Sequence, residues 1–384
     1  TQPAATIPPA RAQTRLRVGV IGCGGRGTGA AINSLEASPD TQIVALADVF
    51  QDRLDSCRNE LAKSEDFSER ARVADDHCFV GFDAYQQLLD RGDTDLVILA
   101  TPPGFRARHF AAAVAARKHV FMEKPVAVDP AGIRAVLAAA AHADAANLRV
   151  VAGTQRRHER SYIEAMSRLR DGAIGRITAA RCFWNQGGLW MNRREPQWSD
   201  TEWQLRNWLY FTWLSGDHIC EQHVHNLDAV NWALDATPKS CLALGGRQVR
   251  TDPAYGNIFD HFAVLYEYPG DVHVTSMCRQ IEGCGGMVEE GFTGTDGTCI
   301  TSPGRADIRG KTTWKFKSDN PNPYVEEHKA LIEAIIDNRP LNEARRVAES
   351  TLTAIMARMS AYTGKPVTWD QALNSKLDLY PTTP

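Results

Sequence analysis

Two rhythms of apolar and polar positions divide this chain, and the change between them falls near Gly153. Before it, short buried-type runs alternate with helical spacing. Residues 16–22 form an apolar run ending in glycines, and 28–38 has the period of a helix. Residues 43–47 predict a second strand, followed by a polar helix over 51–62. Beyond a charged stretch, helices are predicted at 85–91, 108–117 and 130–143, and strands at 96–100, 119–122 and 149–152. Strands separated by helices imply βαβ units and a doubly wound parallel sheet.

After Gly153 the strands follow one another without intervening helices. A helix at 161–171 leads into 176–184, an irregular Trp- and Gly-rich stretch, and a helix over about 218–234. Strand-like runs at 240–249, 260–268, 272–280, 287–294 and 312–316 precede helices at 324–337 and 344–363. Such a succession predicts a largely antiparallel sheet, so the fold class is α/β: an N-terminal Rossmann domain plus a C-terminal α+β domain with an open sheet. The boundaries expected are an extended arm over 1–14, a first domain over 15–152, and a second domain over 153–384.

Composition narrows the function classes. The 384 residues, 43% hydrophobic, can build two cores, and a net charge of −3 gives no electrostatic reason for nucleic acid or anionic membrane as partners. No apolar run approaches the ~20 residues that span a bilayer; the longest candidate, 111–116, stops at Arg117 and Lys118. The nine cysteines, scattered from Cys23 to Cys299, lack zinc-ribbon spacing and leave the redox compartment open. The arm 1–14 carries Pro3, Pro8 and Pro9 without hydrophobic period, which reads as extended chain and not as a signal peptide. A start at Thr1 fits removal of an export signal or trimming, so both an exported and a cytoplasmic location stay open.

The first chemical signal is V-G-V-I-G-C-G-G-R-G-T-G over 18–29, with Gly22, Gly24 and Gly27 in G-x-G-x-x-G spacing and Gly25 and Arg26 between them. The first glycine permits the tight turn, the second lets backbone approach a pyrophosphate, and the third lets helix and strand pack closely. The helix N-terminus then offers free N–H groups to the phosphates. Asp48, at the end of the second predicted strand, is positioned to accept hydrogen bonds from the adenosine ribose. A carboxylate there repels a 2′-phosphate, which favours NAD, although Arg53 nearby keeps NADP open.

The segment 100–125 reads A-T-P-P-G-F-R-A-R-H-F-A-A-A-V-A-A-R-K-H-V-F-M-E-K-P. With the glycine turn, it resembles the Gfo/Idh/MocA oxidoreductase family over about residues 16–363. That resemblance implies that Thr101, Pro102 and Pro103 line the cofactor, that Glu123 lies near the nicotinamide ribose, and that the bond before Pro125 is cis. Lys124 ends a parallel strand, where ligands of open α/β sheets bind. Beside an oxidised nicotinamide it feels a like charge that disfavours the ammonium form, so it can orient a hydroxyl and help carry its proton. Many relatives have histidine where Arg106 stands, so that contact does not carry over.

Residues 215–228 read S-G-D-H-I-C-E-Q-H-V-H-N-L-D. By the resemblance, Glu221, His225 and Asp228 occupy family positions, with Glu in place of the usual Asp. Four residues apart on one helix, Glu221 and His225 share a face; His225 is the candidate base and Glu221 its orienting partner. His218 and His223 invite a metal reading, but H-x-x-E-x-H is not an established zinc pattern, and no metal is expected. Six of the nine tryptophans fall between Trp184 and Trp213 among polar side chains, which suits a sugar ring, a core or an interface equally. Arg157 and His158 are further candidate substrate contacts. The function implied is an NAD(P)-dependent oxidoreductase acting on a secondary hydroxyl of a sugar, glycoside or cyclic polyol. A glycosidase that keeps NAD bound and works by transient oxidation and elimination is the alternative. A homodimer or homotetramer is expected.

Overall fold

The computed structural model describes residues 15–381, so the arm expected over 1–14 lies outside the described residues. Six parallel strands make the first sheet: β1 (Leu16–Ile21), β2 (Thr41–Asp48), β3 (Cys78–Val80), β4 (Leu96–Leu99), β5 (His119–Met122) and β6 (Val150–Ala152). Their order is β3-β2-β1-β4-β5-β6, so the direction of winding reverses between β1 and β4. Helices cover both faces, which is why β4 is buried at every position and reads as an unbroken apolar run. Strand β3 lies in the charged stretch that carried no strand signal; its three residues are all partly or fully exposed, as an edge strand permits.

The second sheet has nine strands: β7 (Ile177–Gln186), β8 (Ser240–Gly246), β9 (His261–Tyr268), β10 (Val272–Gln280), β11 (Met287–Gly294), β12 (Gly297–Ser302), β13 (Arg305–Gly310), β14 (Trp314–Lys315) and β15 (Val367–Thr368). All neighbouring pairs are antiparallel except β7 with β10. In β9, Phe262, Val264, Tyr266 and Tyr268 point into the core while Ala263, Leu265 and Glu267 point out, the two-residue period of a half-buried strand. Strands β12 and β13 were not foreseen, because Gly297, Gly304 and Gly310 and the interleaved charges hide their alternation.

The chain beyond Gly153 is not confined to the second sheet. Helix Pro323–Ile336 packs on helix Gly25–Ala37, and Leu331, Ile335 and Leu341 join the core formed by Val18, Phe121 and Val151. Asn342 then bridges Val150 in parallel, and the Ala152 N–H donates to Glu343 Oε2 at 3.0 Å. Helix Ala344–Thr363, buried along most of its length, runs between helix Pro130–Ala145 and β8. The helix expected over 218–234 is two pieces, His218–Glu221 and Val224–Leu234, separated by a turn in which the His223 N–H reaches back to the His218 carbonyl at 3.3 Å. Among the described residues no helix is long and apolar enough to cross a membrane.

Candidate functional site

A cleft of about 830 Å³ opens at the carboxyl ends of β1 and β4, where the winding reverses. Gly22 turns the chain there with φ +97°, and a Cβ on it would lie 2.5 Å from the Thr101 nitrogen. A Cβ on Gly27 would stand 1.8 Å from the Gly22 carbonyl oxygen, so Gly27 packs helix on strand and does not itself line the cleft. Gly24 and Gly25 meet nothing within 4 Å and do line it. Bare backbone at the start of the 13-residue helix Gly25–Ala37 is a cradle that fits a dinucleotide pyrophosphate.

Asp48 closes one side of this cradle. Its Oδ2 accepts from the Cys23 N–H at 2.7 Å and its Oδ1 from the Phe50 N–H at 2.9 Å, which fixes the carboxylate and leaves lone pairs toward the cleft. Burial pushes this carboxyl up, against the pull of those N–H groups and Arg53. Arg53 and the run Thr101, Pro102 and Pro103 also line the cleft. Arg106 is buried there, donating to the carbonyls of Leu99 at 2.5 Å and Thr101 at 2.6 Å, and burial pushes its guanidinium down to about 10. It ties the end of β4 to helix Pro103–Ala115, a role no sequence signal suggested.

At the end of β5, Glu123 Oε1 accepts from Arg26 Nε at 2.5 Å, and Arg26 lies over the Tyr324 ring at 5.1 Å. The Lys124–Pro125 bond is cis. Lys124 Nζ donates to the Glu221 carbonyl at 2.5 Å and to Glu221 Oε1 at 3.1 Å, joining residues 97 positions apart. Glu221 Oε2 is buried without a hydrogen-bond partner. The His225 ring stacks on Trp184 at 5.8 Å, and its Nδ1 has no partner. Burial, then the charges of Lys124 and Arg156, hold His225 well below the ordinary histidine range, so it is neutral. Glu221 and His225 both line the cleft although the turn at Gln222 and His223 separates their helices.

The other histidines of that segment are core residues. His218 is fully buried beside the Trp184 backbone, and His223 Nε2 meets Ser276 Oγ at 2.7 Å. Among the described residues no group of three or more His, Cys, Asp or Glu is arranged to hold a metal ion.

Arg157 and His158 lie outside the lining of the cleft and are partnered elsewhere. Arg157 Nε pairs with Asp228 Oδ2 at 2.8 Å, and His158 Nε2 lies 3.3 Å from Glu343 Oε1. They belong to a tight 3-10 turn, Gln155–His158, in which successive side chains diverge by about 120°. Gln155 faces the cleft, and Arg156 points into the core to pair with Glu290. Trp184, Trp190 and Trp208 line the cleft, while Trp203 and Trp213 pack in an aromatic core with Phe105 and Phe211. The tryptophan-rich stretch therefore serves both as wall and as core.

Residues 16–151 match the family model "Oxidoreductase family, NAD-binding Rossmann fold", and residues 162–299 match "GFO/IDH/MocA C-terminal domain"; together they cover well over half of the chain. An inositol 2-dehydrogenase of Acidothermus cellulolyticus is 25% identical over 339 residues, 88% of this chain and 86% of that one. A glycosyl hydrolase family 109 protein of Streptomyces niveus is 35% identical over 120 residues, 31% of this chain and 23% of that one. In fold, the chain is similar to the crystal structure of scyllo-inositol dehydrogenase from Lactobacillus casei with bound NAD(H) and scyllo-inositol. The TM-score is 0.71 over 92% of this chain and 99% of that one, at 19% identity.

Proposed function

The chain belongs to the Gfo/Idh/MocA oxidoreductase family, and from that premise we propose that it is an NAD-dependent dehydrogenase acting on a secondary hydroxyl of a sugar, glycoside or cyclic polyol. The observation that carries this reading is the meeting of Lys124, Glu221 and His225 in the same cleft as Gly24, Gly25 and Asp48. Bound at the glycine turn, a nicotinamide dinucleotide supplies the hydride acceptor. Lys124 Nζ, held at 3.1 Å by Glu221 Oε1, orients the substrate hydroxyl. His225, kept neutral and lining the cleft, can accept the hydroxyl proton as the carbon loses hydride. Trp184 packs on the His225 ring and shields it from water on that side. Asp48 disfavours a 2′-phosphate, which supports NAD over NADP despite Arg53 beside it. The substrate class rests on the inositol 2-dehydrogenase relative, which is similar along most of its length.

A second reading, a redox-neutral glycosidase working by transient oxidation and elimination, draws support from the stretch shared with the family 109 protein. Incubation with NAD and a panel of polyols, sugars and chromogenic glycosides separates them. A rise in NADH absorbance supports the dehydrogenase, and release of the leaving group without it supports the glycosidase. Neither signal across the panel, with dinucleotide bound, would sink both. The outer face of the second sheet exposes Leu242, Leu244, Leu265 and Met277, the basis for proposing a homodimer or homotetramer packed through that face. Light scattering that returned a monomer mass would refute it.

A further inference from the structure

Between β7 and helix His218–Glu221, residues 187–215 leave the second sheet and pack on the first domain. Leu205, Leu209, Tyr210, Phe211 and Leu214 form an aromatic-rich core against which Val49 and Phe50, from the end of β2, are packed. A Cβ on Gly104 would lie 2.1 Å from the Trp213 carbonyl oxygen, so the two backbones touch. Internal bonds stiffen this strap. The Asn192 N–H donates to Asn207 Oδ1 at 2.8 Å, Asn207 Nδ2 donates to the Asn192 carbonyl at 3.1 Å, and the Tyr210 hydroxyl donates to the Trp190 carbonyl at 2.8 Å.

One ion pair joins the strap to the helix that follows Asp48. Arg206 Nη1 and Nη2 donate to the two carboxylate oxygens of Asp52, each at 3.0 Å, and the guanidinium lies 4.0 Å from the Phe50 ring centroid and 5.1 Å from that of Trp198. This is fork-on-fork geometry with aromatic support, the stronger form of a surface ion pair. Asp48, Val49, Phe50 and Arg53 on one side, and Leu205 and Arg206 on the other, line one continuous cleft. Arg206 Nε also donates to Glu202 Oε1 at 2.9 Å within the strap's own helix. Releasing Asp52 thus leaves the guanidinium partnered, and opening carries no penalty for an unpaired charge.

We propose that this strap is the outer wall of the adenosine half of the dinucleotide site and that the Arg206–Asp52 pair is its latch, slowing release of the cofactor from the protein. The proposal rests on the dinucleotide-binding reading above. It makes Arg206, Asp52 and Phe50 binding determinants that the glycine turn alone does not reveal.

The test follows release, not turnover. The full chain is loaded with NADH, mixed with excess NAD, and the decay of bound NADH fluorescence gives the release rate. In the wild type, release slower than about 1 s⁻¹, the low end of ordinary turnover, is expected. Asp52→Asn, at a side chain 58% exposed, should release about tenfold faster, equivalent to about 1.4 kcal/mol. Arg206→Lys, which keeps the charge and loses the fork, should fall between. Wild-type release as fast as ordinary turnover, or equal rates in wild type and Asp52→Asn, overturns the latch while leaving dinucleotide binding intact. Absence of any bound NADH signal overturns the dinucleotide reading and the latch with it.

Discussion

Replacing Glu290 by glutamine should be among the most damaging conservative changes in this protein. Glu290 is fully buried in β11 and faces only donors. Arg156 Nη1, Asn226 Nδ2 at 2.6 Å, Tyr162 OH at 2.9 Å and Thr301 Oγ1 at 2.7 Å all point at its oxygens. Burial pushes the carboxyl up, but four donors and no acceptor are the surroundings of an ionised carboxylate. Arg156 has no other hydrogen-bond partner, since its Nε and Nη2 are both unpaired. Glu290→Gln therefore deprives a buried guanidinium of its directly bonded counter-charge, leaving only the more distant Glu159 and Asp228, and turns one amide N–H₂ toward a donor, a loss of about 3–5 kcal/mol. The double variant Glu290→Leu with Arg156→Met removes both charges together and should fall short of the sum of its single changes by about 2 kcal/mol or more. Urea unfolding followed by circular dichroism measures each value by linear extrapolation. A loss below about 1 kcal/mol for Glu290→Gln, or strict additivity in the cycle, would refute the claim that this pair is a buried charge couple.

Gly27→Ala should abolish dinucleotide binding by about a hundredfold or more, because its Cβ would sit 1.8 Å from a backbone oxygen that cannot yield; titration calorimetry returning the wild-type Kd would count against the packing argument. Lys124→Met should lower kcat by about 10²–10⁴ and leave dinucleotide affinity nearly unchanged, so an equal fall in affinity would place the lysine in binding alone. Asp217 is raised from 3.8 to about 6, chiefly by burial. A raised folded value means a contribution fully present below the ordinary value and lost as pH rises through about 6. The stability of wild type relative to Asp217→Asn should therefore grow by up to about 3 kcal/mol as pH falls from neutral to about 4, and a flat or opposite difference in urea titrations would contradict it.

Much of the cofactor side was legible because it depends on spacing along one strand, one turn and one helix. The separations of Gly22, Gly24 and Gly27, and the end of β2 at Asp48, translate directly into positions around a single backbone turn. The Lys124–Glu221 pair has no signal in the sequence, since 97 residues separate the partners and helical spacing directs Glu221 toward His225 instead. Which of residues 155–158 faces the cleft was not legible, because a 3-10 turn sends four consecutive side chains in different directions, and nothing in Q-R-R-H says that it is Gln155. Glu290 gave no signal either: its partners come from four other segments of chain, and a charged residue in a strand normally reads as solvent-facing. The break at Gln222 and His223 was invisible for another reason, as both residues tolerate a helix and tertiary packing decided against it.

The return of residues 323–343 to the first sheet bears on how this protein is made. During synthesis, β1 to β6 leave the ribosome long before helix Pro323–Ile336 exists to cover the face containing Val18, Phe121 and Val151. The nascent first domain must wait with that apolar surface open, or shield it transiently, while nearly two hundred further residues are added. A fragment ending at Ala152 would keep the glycine turn and yet be prone to self-association, because the helix that covers it, Pro323–Ile336, lies far beyond that point. Completion of the dinucleotide-binding half thus waits for residues 323–343, and it couples the ripening of both sheets to a single later step.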